Sequence, residues 1–223
     1  MRGLRRAMVD NQIRTFDVTD QPVLDRFYTV PREFFLPPHL ESLAYSDAVL
    51  TVGEPKGTRR VMLMPMVLAR LLQGATVREG DRTLVVAGGN GYAAALLAGL
   101  SAEVVALEAD PAMTEWTRHA CAALQLENVS AVTGPLLDGF RAKAPYDVIL
   151  VEGGVEGHLE SLLAQLSPRG RLVTIQKTLF DGVRRNGKAT LFERFGDDIS
   201  HRALFDSSAV VIEDFAVASS FAF

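Results

Sequence analysis

Residues 83–98, Thr-Leu-Val-Val-Ala-Gly-Gly-Asn-Gly-Tyr-Ala-Ala-Ala-Leu-Leu-Ala, constrain the fold of this chain more than any other stretch. An apolar run of strand-forming residues meets a glycine-rich turn and passes into helix formers. A second apolar run, Val104-Val-Ala-Leu-Glu-Ala-Asp110, ends in acids. Strand, glycine turn, helix and acid-tipped strand together make the first half of a nucleotide-binding unit. The helix start offers free N–H groups and partial positive charge to a polar ligand. The glycines let that ligand approach the backbone. A carboxylate at the tip of the second strand, Glu108, can accept hydrogen bonds from ribose hydroxyls. An adenosine-type cofactor is therefore expected, and the loop alone does not choose which.

Gly89-Asn-Gly91-Tyr-Ala-Ala94 satisfies G-x-G-x-x-G/A, and Glu108 lies 17 residues beyond Gly91. On pattern alone this favours a nicotinamide dinucleotide. Two points weigh against it. A dinucleotide fold needs a second mononucleotide-binding half and a substrate domain, for which 223 residues leave little room. In addition, about 80 residues precede the first sheet strand, and they read as a cap or substrate lid.

The length suits one domain with a full core. A net charge of −4 gives no general affinity for nucleic acid or anionic membrane. The local basic groups Arg2, Arg5 and Arg6, Arg59-Arg60 and Arg184-Arg185 read as solvated surface. The single cysteine, Cys121, excludes an internal disulfide and reads as a buried thiol within the helical pattern Met113–Leu124. No apolar run reaches membrane-spanning length, and no apolar segment follows the N-terminal arginines. A reducing cytoplasm is expected, and Asn128-Val-Ser130 is then a chance glycosylation sequon.

The predicted organisation is one domain over 1–223. Residues 1–80 form a helical cap and substrate segment, 81–180 the cofactor-binding core and 181–223 a β extension. In the cap, Val18–Tyr28 is an amphipathic helix with Val23, Leu24 and Phe27 on one side and Thr19 as its cap. A loop containing Gly53, Pro55 and Gly57 precedes a helix over Met62–Leu72. Strands are expected at Leu84–Ala87, Glu103–Leu107, Val129–Val132, Tyr146–Val151 and Arg171–Ile175. Helices are expected at Tyr92–Leu100, Pro111–Leu124 (capped by Asp110) and Leu159–Leu166. Such alternation argues for a three-layer α/β fold, a Rossmann-like parallel sheet covered on both faces. Thr190–Phe195, His201–Phe205 and Phe221–Phe223 read as β, adding antiparallel strands at one edge.

Other chemistry finds little support. His39, His119, His158 and His201 form neither H-x-x-H nor H-E-x-x-H, so no metal site is expected. There is no G-x-S-x-G nucleophile elbow. Glu152-Gly-Gly-Val-Glu156 follows the fourth strand at the ligand-binding edge, and reads equally as a site lining and as a polar loop. His158 reads as a helix-start residue.

The order of motifs resembles the protein-L-isoaspartate O-methyltransferase family of class I S-adenosylmethionine (SAM)-dependent methyltransferases. Met8-Val-Asp-Asn-Gln-Ile-Arg14 is similar to its N-terminal helix motif. Val30-Pro-Arg-Glu-Phe-Phe-Leu-Pro37 resembles V-P-R-E-x-F-V-P, and Ala44-Tyr-Ser-Asp47 resembles A-Y-x-D. Gly91-Tyr92 matches the end of the cofactor loop, and Ala144-Pro-Tyr-Asp-Val-Ile149 resembles A-P-F-D-x-I. Leu163–Val173 resembles L-x-x-Q-L-x-x-G-G-R-L-V. The resemblance implies methyl transfer from SAM to the isoaspartate carboxylate of a damaged protein or peptide, with S-adenosylhomocysteine as product and no metal. It implies cofactor contacts at Ala87, Gly88, Gly89, Asn90, Gly91, Glu108 and Ala109. It implies substrate contacts at Tyr45, Asp47 and Leu63, within a covering segment Tyr45–Pro65. No catalytic residue is assigned, and nothing bears on oligomeric state.

Three sites depart from the family pattern. Val85 and Ala87 stand where the cofactor loop has an acid, which helps hold the methionine ammonium, and its first glycine. Gly134-Pro135-Leu136 stands for G-D-G, whose Asp lies near the adenine amino group; Asp138 is the substitute three positions on. Leu63 occupies the serine slot of T-I-S-x-P. Losing two polar cofactor contacts at ~1–3 kcal/mol each predicts ~10²- to 10⁴-fold weaker binding. The rival expectations are a non-catalytic binding module of the same fold, a methyltransferase with another substrate, and a nicotinamide oxidoreductase that rests only on the glycine pattern.

Overall fold

The computed structural model describes residues 1–54, 59–177, 179–180, 183–184 and 187–218. The cap begins with α1 (Arg2–Met8), which continues through a π turn and a 3-10 turn to Phe16. Helix α2 (Gln21–Thr29) buries Val23, Leu24 and Phe27, as its periodicity predicts. Its cap is Asp20 rather than Thr19: the Asp20 carboxylate accepts from the Val23 N–H at 3.2 Å. The backbone N–H groups of Thr19 and Asp20 instead donate to the Gln73 side chain at 2.7 and 2.9 Å, which fixes the chain's entry into the helix. Strands β1 (Leu50–Gly53) and β2 (Arg60–Met62) pair antiparallel, where a loop and a helix start were expected. Helix α3 (Pro65–Ala75) starts three residues late, because a proline at its first position pushes Met64 into an extended conformation (ψ 141).

The core follows the expected alternation. It comprises β3 (Arg82–Val86), α4 (Tyr92–Leu97), β4 (Glu103–Glu108), α5 (Pro111–Ala123), β5 (Val129–Thr133) and β6 (Tyr146–Val155). Then come α6 (Glu160–Leu163), β7 (Leu166–Gln176), a short pair β8 (Leu179–Phe180) and β9 (Val183–Arg184), β10 (Lys188–Phe195) and β11 (Asp198–Asp206). One seven-stranded sheet has the order β11-β10-β7-β6-β3-β4-β5. The pairs among β7, β6, β3, β4 and β5 are parallel, and β10 and β11 join antiparallel at one edge. The expected strand over Phe221–Phe223 lies outside the described residues.

Two elements differ from the pattern reading. Helix α6 is one turn, and β7 begins at Leu166 because that residue pairs with Tyr146. Strand β6 runs four residues past Val151, through the stretch read as a possible loop. The cause is the distant C-terminal segment: Gly154 N–H donates to Val210 O at 2.8 Å, and Ile212 N–H donates to Gly154 O at 2.9 Å. Gly153 and Gly154 let that segment lie close, since a Cβ on Gly153 would come within 2.7 Å of Ile212.

Side chains alternate across the sheet with period two. Val85, Val104, Val148, Leu150 and Val173 meet the cap helices, α3 and α4. Leu84, Val86, Val105, Ile149, Val151 and Leu172 pack against α6 and the C-terminal segment. Burial on both faces explains why these strands read as continuous apolar runs. Cys121 is buried in α5, where burial pushes its thiol up to about 11. Among the described residues no helix is long and apolar enough to cross a membrane, and no His, Cys, Asp and Glu group is arranged to hold a metal.

Candidate functional site

The chain order leaves β3 in mid-sheet, with β4 and β5 on one side and β6 and β7 on the other. The sheet reverses direction of growth between β3 and β6, and ligands of open parallel sheets bind at the carboxyl ends of the strands beside such a point. Three predicted features meet there: the glycine loop after β3, Glu108 at the end of β4 and Glu152 in β6.

The glycine turn expected between β3 and α4 is formed. Gly89 and Gly91 are left-handed (φ 59 and 89), and Ala87 adopts the same region (φ 59) where the family pattern has glycine. That conformation costs an alanine ~1–2 kcal/mol. It is held by the Ala87 N–H, which donates to Leu107 O at 3.1 Å. Gly91 caps α4 and has no room for a side chain, since a Cβ there would meet Thr117 at 2.8 Å. Thr117 in turn donates to Gly89 O at 3.2 Å. The Asn90 amide donates to Phe35 O, and its oxygen accepts from Tyr92 N–H at 3.3 Å, so Asn90 ties the loop to the cap.

Glu108 is buried and locked to the loop. One carboxylate oxygen accepts from Gly89 N–H at 2.7 Å; the other accepts from Ala109 N–H at 3.2 Å and Arg60 Nε at 3.1 Å. Burial is the largest influence on this carboxyl and raises it above the ordinary range, opposed by Arg60 and the two N–H donors. Arg60 is itself buried, contrary to its reading as surface. It reaches Glu108 from β2, and Val52 of β1 lies 3.2 Å from where a Gly89 Cβ would be. The β1–β2 hairpin thus rests on the glycine loop.

Beside the loop lie two more buried ionisable side chains, Arg32 and Glu152. Leu63, in the serine slot, is fully buried; its N–H favours the ionised form of the Glu152 carboxyl, and its C=O accepts from Arg32 Nη2 at 2.8 Å. Glu152 Oε2, Arg32 Nε and Arg32 Nη1 have no hydrogen-bond partner among the described residues. Burial lowers the Arg32 guanidinium and pushes the Glu152 carboxyl up to about 8. Arg32 also stacks over the Tyr92 ring, 5.0 Å from its centre.

The remaining expected positions lie apart from the loop's own hydrogen bonds. Tyr45 donates to Glu33 and accepts from Arg5 Nε at 2.9 Å, so it and Arg5, which reads as solvated in the sequence, brace the cap. Asp47, Pro135 and Asp138 are exposed, and Asp138 contributes its backbone carbonyl to the Gln165 side chain at 2.8 Å. His158 is exposed and left-handed (φ 65) just before α6.

The polar groups present, acceptors at Glu108 and Glu152 and donors at Arg32, fit an adenosyl cofactor carrying an amino-acid tail. Glu108 at the strand tip could accept from ribose hydroxyls, and the partnerless Glu152 oxygen and Arg32 nitrogens stand beside the loop. In this structure Arg60 Nε occupies one of the two Glu108 oxygens.

The comparisons with known proteins agree. The family model for protein-L-isoaspartate(D-aspartate) O-methyltransferase matches residues 4–192. The protein-L-isoaspartate O-methyltransferase of Methylorubrum extorquens (strain PA1) is 40% identical over 169 residues, covering 76% of this chain and 72% of that one. A solved protein-L-isoaspartate O-methyltransferase superposes with a TM-score of 0.78 at 26% identity, over 95% of this chain and 65% of the other. A putative one from Plasmodium falciparum, in complex with S-adenosyl-L-homocysteine, gives a TM-score of 0.73 at 18% identity, over 94% and 98% of the two chains.

Proposed function

The chain belongs to the protein-L-isoaspartate O-methyltransferase family, and from that membership we propose that it transfers the methyl group of SAM to the carboxylate of isoaspartyl residues in proteins and peptides. The bond between Gly89 N–H and Glu108 at 2.7 Å carries the reading, because it sets the strand-tip acid against the glycine loop at the reversal point of the sheet. The cofactor supplies a methyl group activated on a sulfonium.

The chain's own part is to bind, orient and exclude water. A carboxylate is already a competent nucleophile, so the reaction needs alignment and electrostatic fit more than proton transfer. In this reading Ala87–Gly91, Glu108 and Ala109 hold the cofactor, and the Tyr45–Pro65 segment covers the substrate with Tyr45, Asp47 and Leu63. Leu63 has no side-chain polar group, so polar orientation of the substrate at that point falls to backbone groups. Residues 1–80, 81–180 and 181–223 act as one unit. The buried thiol of Cys121 is consistent with a cytoplasmic setting.

The test has two steps. Thermal melts with SAM, S-adenosylhomocysteine and NAD should show stabilisation by the adenosylated compounds alone, ~2.7 kcal/mol at 100 times Kd. Labelled methyl should then pass from SAM to an isoaspartyl peptide and not to its aspartyl counterpart. No shift with either adenosylated compound at millimolar concentration sinks the reading, and binding without transfer makes the chain a binding module.

A further inference from the structure

The family's cofactor loop carries an acid that this chain replaces with Val85, on the face of β3 that meets the cap. The chain places another carboxylate at the same spot from the neighbouring strand. Strand β6 pairs with β3 in parallel, with Val86 opposite Val151, so Glu152 comes one step beyond the pairing that sets the loop. Gly88 locates the two side chains: a Cβ built there would lie 2.7 Å from Val85 Cγ1 and 3.5 Å from Glu152 Oε2. Valine and carboxylate thus flank one glycine of the loop.

The carboxylate is built in rather than incidental. Glu152 is 3% exposed, and its Oε2 has no hydrogen-bond partner among the described residues. A buried carboxylate oxygen left unpartnered is costly, and such groups call for a bound partner or a functional role. Arg32 faces it but makes no ion pair within 4.0 Å; its side chain donates instead to the Leu63 carbonyl. The unpartnered Glu152 Oε2 therefore suits a donor that arrives with a ligand, and a cation arriving there favours the ionised carboxylate.

We propose that Glu152 binds the α-ammonium group of the methionine moiety of SAM, taking over from β6 the role that the missing acid of β3 would play. The proposal rests on the cofactor reading above.

The experiment is calorimetric titration of the wild-type chain and Glu152→Gln with three ligands. These are S-adenosylhomocysteine, its analogue with hydrogen in place of the α-ammonium, and 5′-methylthioadenosine, which lacks the amino-acid tail. Wild type should bind S-adenosylhomocysteine ~10- to 100-fold more tightly than the des-amino analogue, the range of a charge-assisted hydrogen bond. Glu152→Gln should bind those two alike while keeping wild-type affinity for 5′-methylthioadenosine, which also reports an intact fold. A variant that keeps the wild-type preference for the ammonium overturns the proposal, and so does a wild type with no preference. Wild type that binds none of the three overturns the cofactor reading and this proposal with it. Binding of the nucleoside thioether with no gain from the tail overturns this proposal alone.

Discussion

A carboxyl as deeply buried as Glu152 destabilises the free protein whenever it ionises. Its pKa rises from an ordinary 4.5 to about 8, with burial first among the causes. The groups facing it are Arg32 from the cap, the Leu63 N–H before α3 and Glu108 at the end of β4. Arg32 and the N–H favour ionisation and Glu108 opposes it, and burial exceeds their sum. Because the folded value lies above the unfolded one, the folded state holds the proton longer. Stability contributed by the protonated form is present at low pH and is lost as pH rises through about 8. Glu152→Gln removes that dependence. Its stability relative to wild type should grow by on the order of 1 kcal/mol per unit between the two pKa values. Urea unfolding at several pH values checks this, and parallel curves for the two proteins would refute it. Gly91 gives a second prediction at this scale. Its φ of 89 and the 2.8 Å separation between Thr117 and the position of an added Cβ leave an alanine both strained and crowded. Gly91→Ala should cost ~2–4 kcal/mol in the same measurement.

At the level of elements, β1 and β2 lie against the glycine loop and Glu108. Arg60 and Glu108 form a buried ion pair at 3.1 Å, and removing one partner of such a pair typically costs ~3–5 kcal/mol because the other charge stays buried. Arg60→Met should therefore lower the melting temperature of the free protein. The same change frees Glu108 for ribose hydroxyls, so S-adenosylhomocysteine should raise the melting temperature of the variant more than that of wild type. An equal or smaller rise would mean that the arginine does not compete with the cofactor. This hairpin was the least legible element in the sequence. Its strands have four and three residues, they flank glycines and a proline, and the partner that buries Arg60 lies 48 positions away. A two-arginine run with no visible partner reads as solvated. The parallel strands were legible because burial on both faces writes itself as unbroken apolar runs, and α5 because Asp110 caps it locally, accepting from Ala112 N–H at 2.7 Å. The glycine loop and Glu108 were legible for the same local reason. The extension of β6 through Glu152 was only half legible, since its cause is a hydrogen-bonded segment more than fifty residues downstream.

Over the whole molecule, the question is whether the cap of residues 1–80 is a module or part of the core. Its contacts favour the second. Tyr92, at the start of α4, is fully buried and meets Phe35 and Phe27 edge-on, with ring centres 5.5 and 6.2 Å away. Arg26 of α2 donates to the Leu96 and Ala95 carbonyls at 3.2 and 3.1 Å, satisfying the end of α4 with a cation where the helix dipole favours one. From the far side of the sheet order, Arg171 of β7 donates to the Ala75 carbonyl at 3.0 Å and pairs with Asp81 at 2.7 Å, fastening the end of α3. Apolar residues of the cap and of the sheet share one cluster, with no seam between them. One cooperative unfolding transition is therefore expected. Trp116, the single tryptophan, sits in α5 and reports on the core, while far-UV circular dichroism reports on the cap helices as well. Phe35→Ala removes a fully buried ring from the cap and should cost ~3–5 kcal/mol. At this chain length that lowers the melting temperature by roughly 10 °C. Both signals should shift together and by the same amount. If the dichroism loses an early component while the Trp116 transition stays in place, the cap is a separate module.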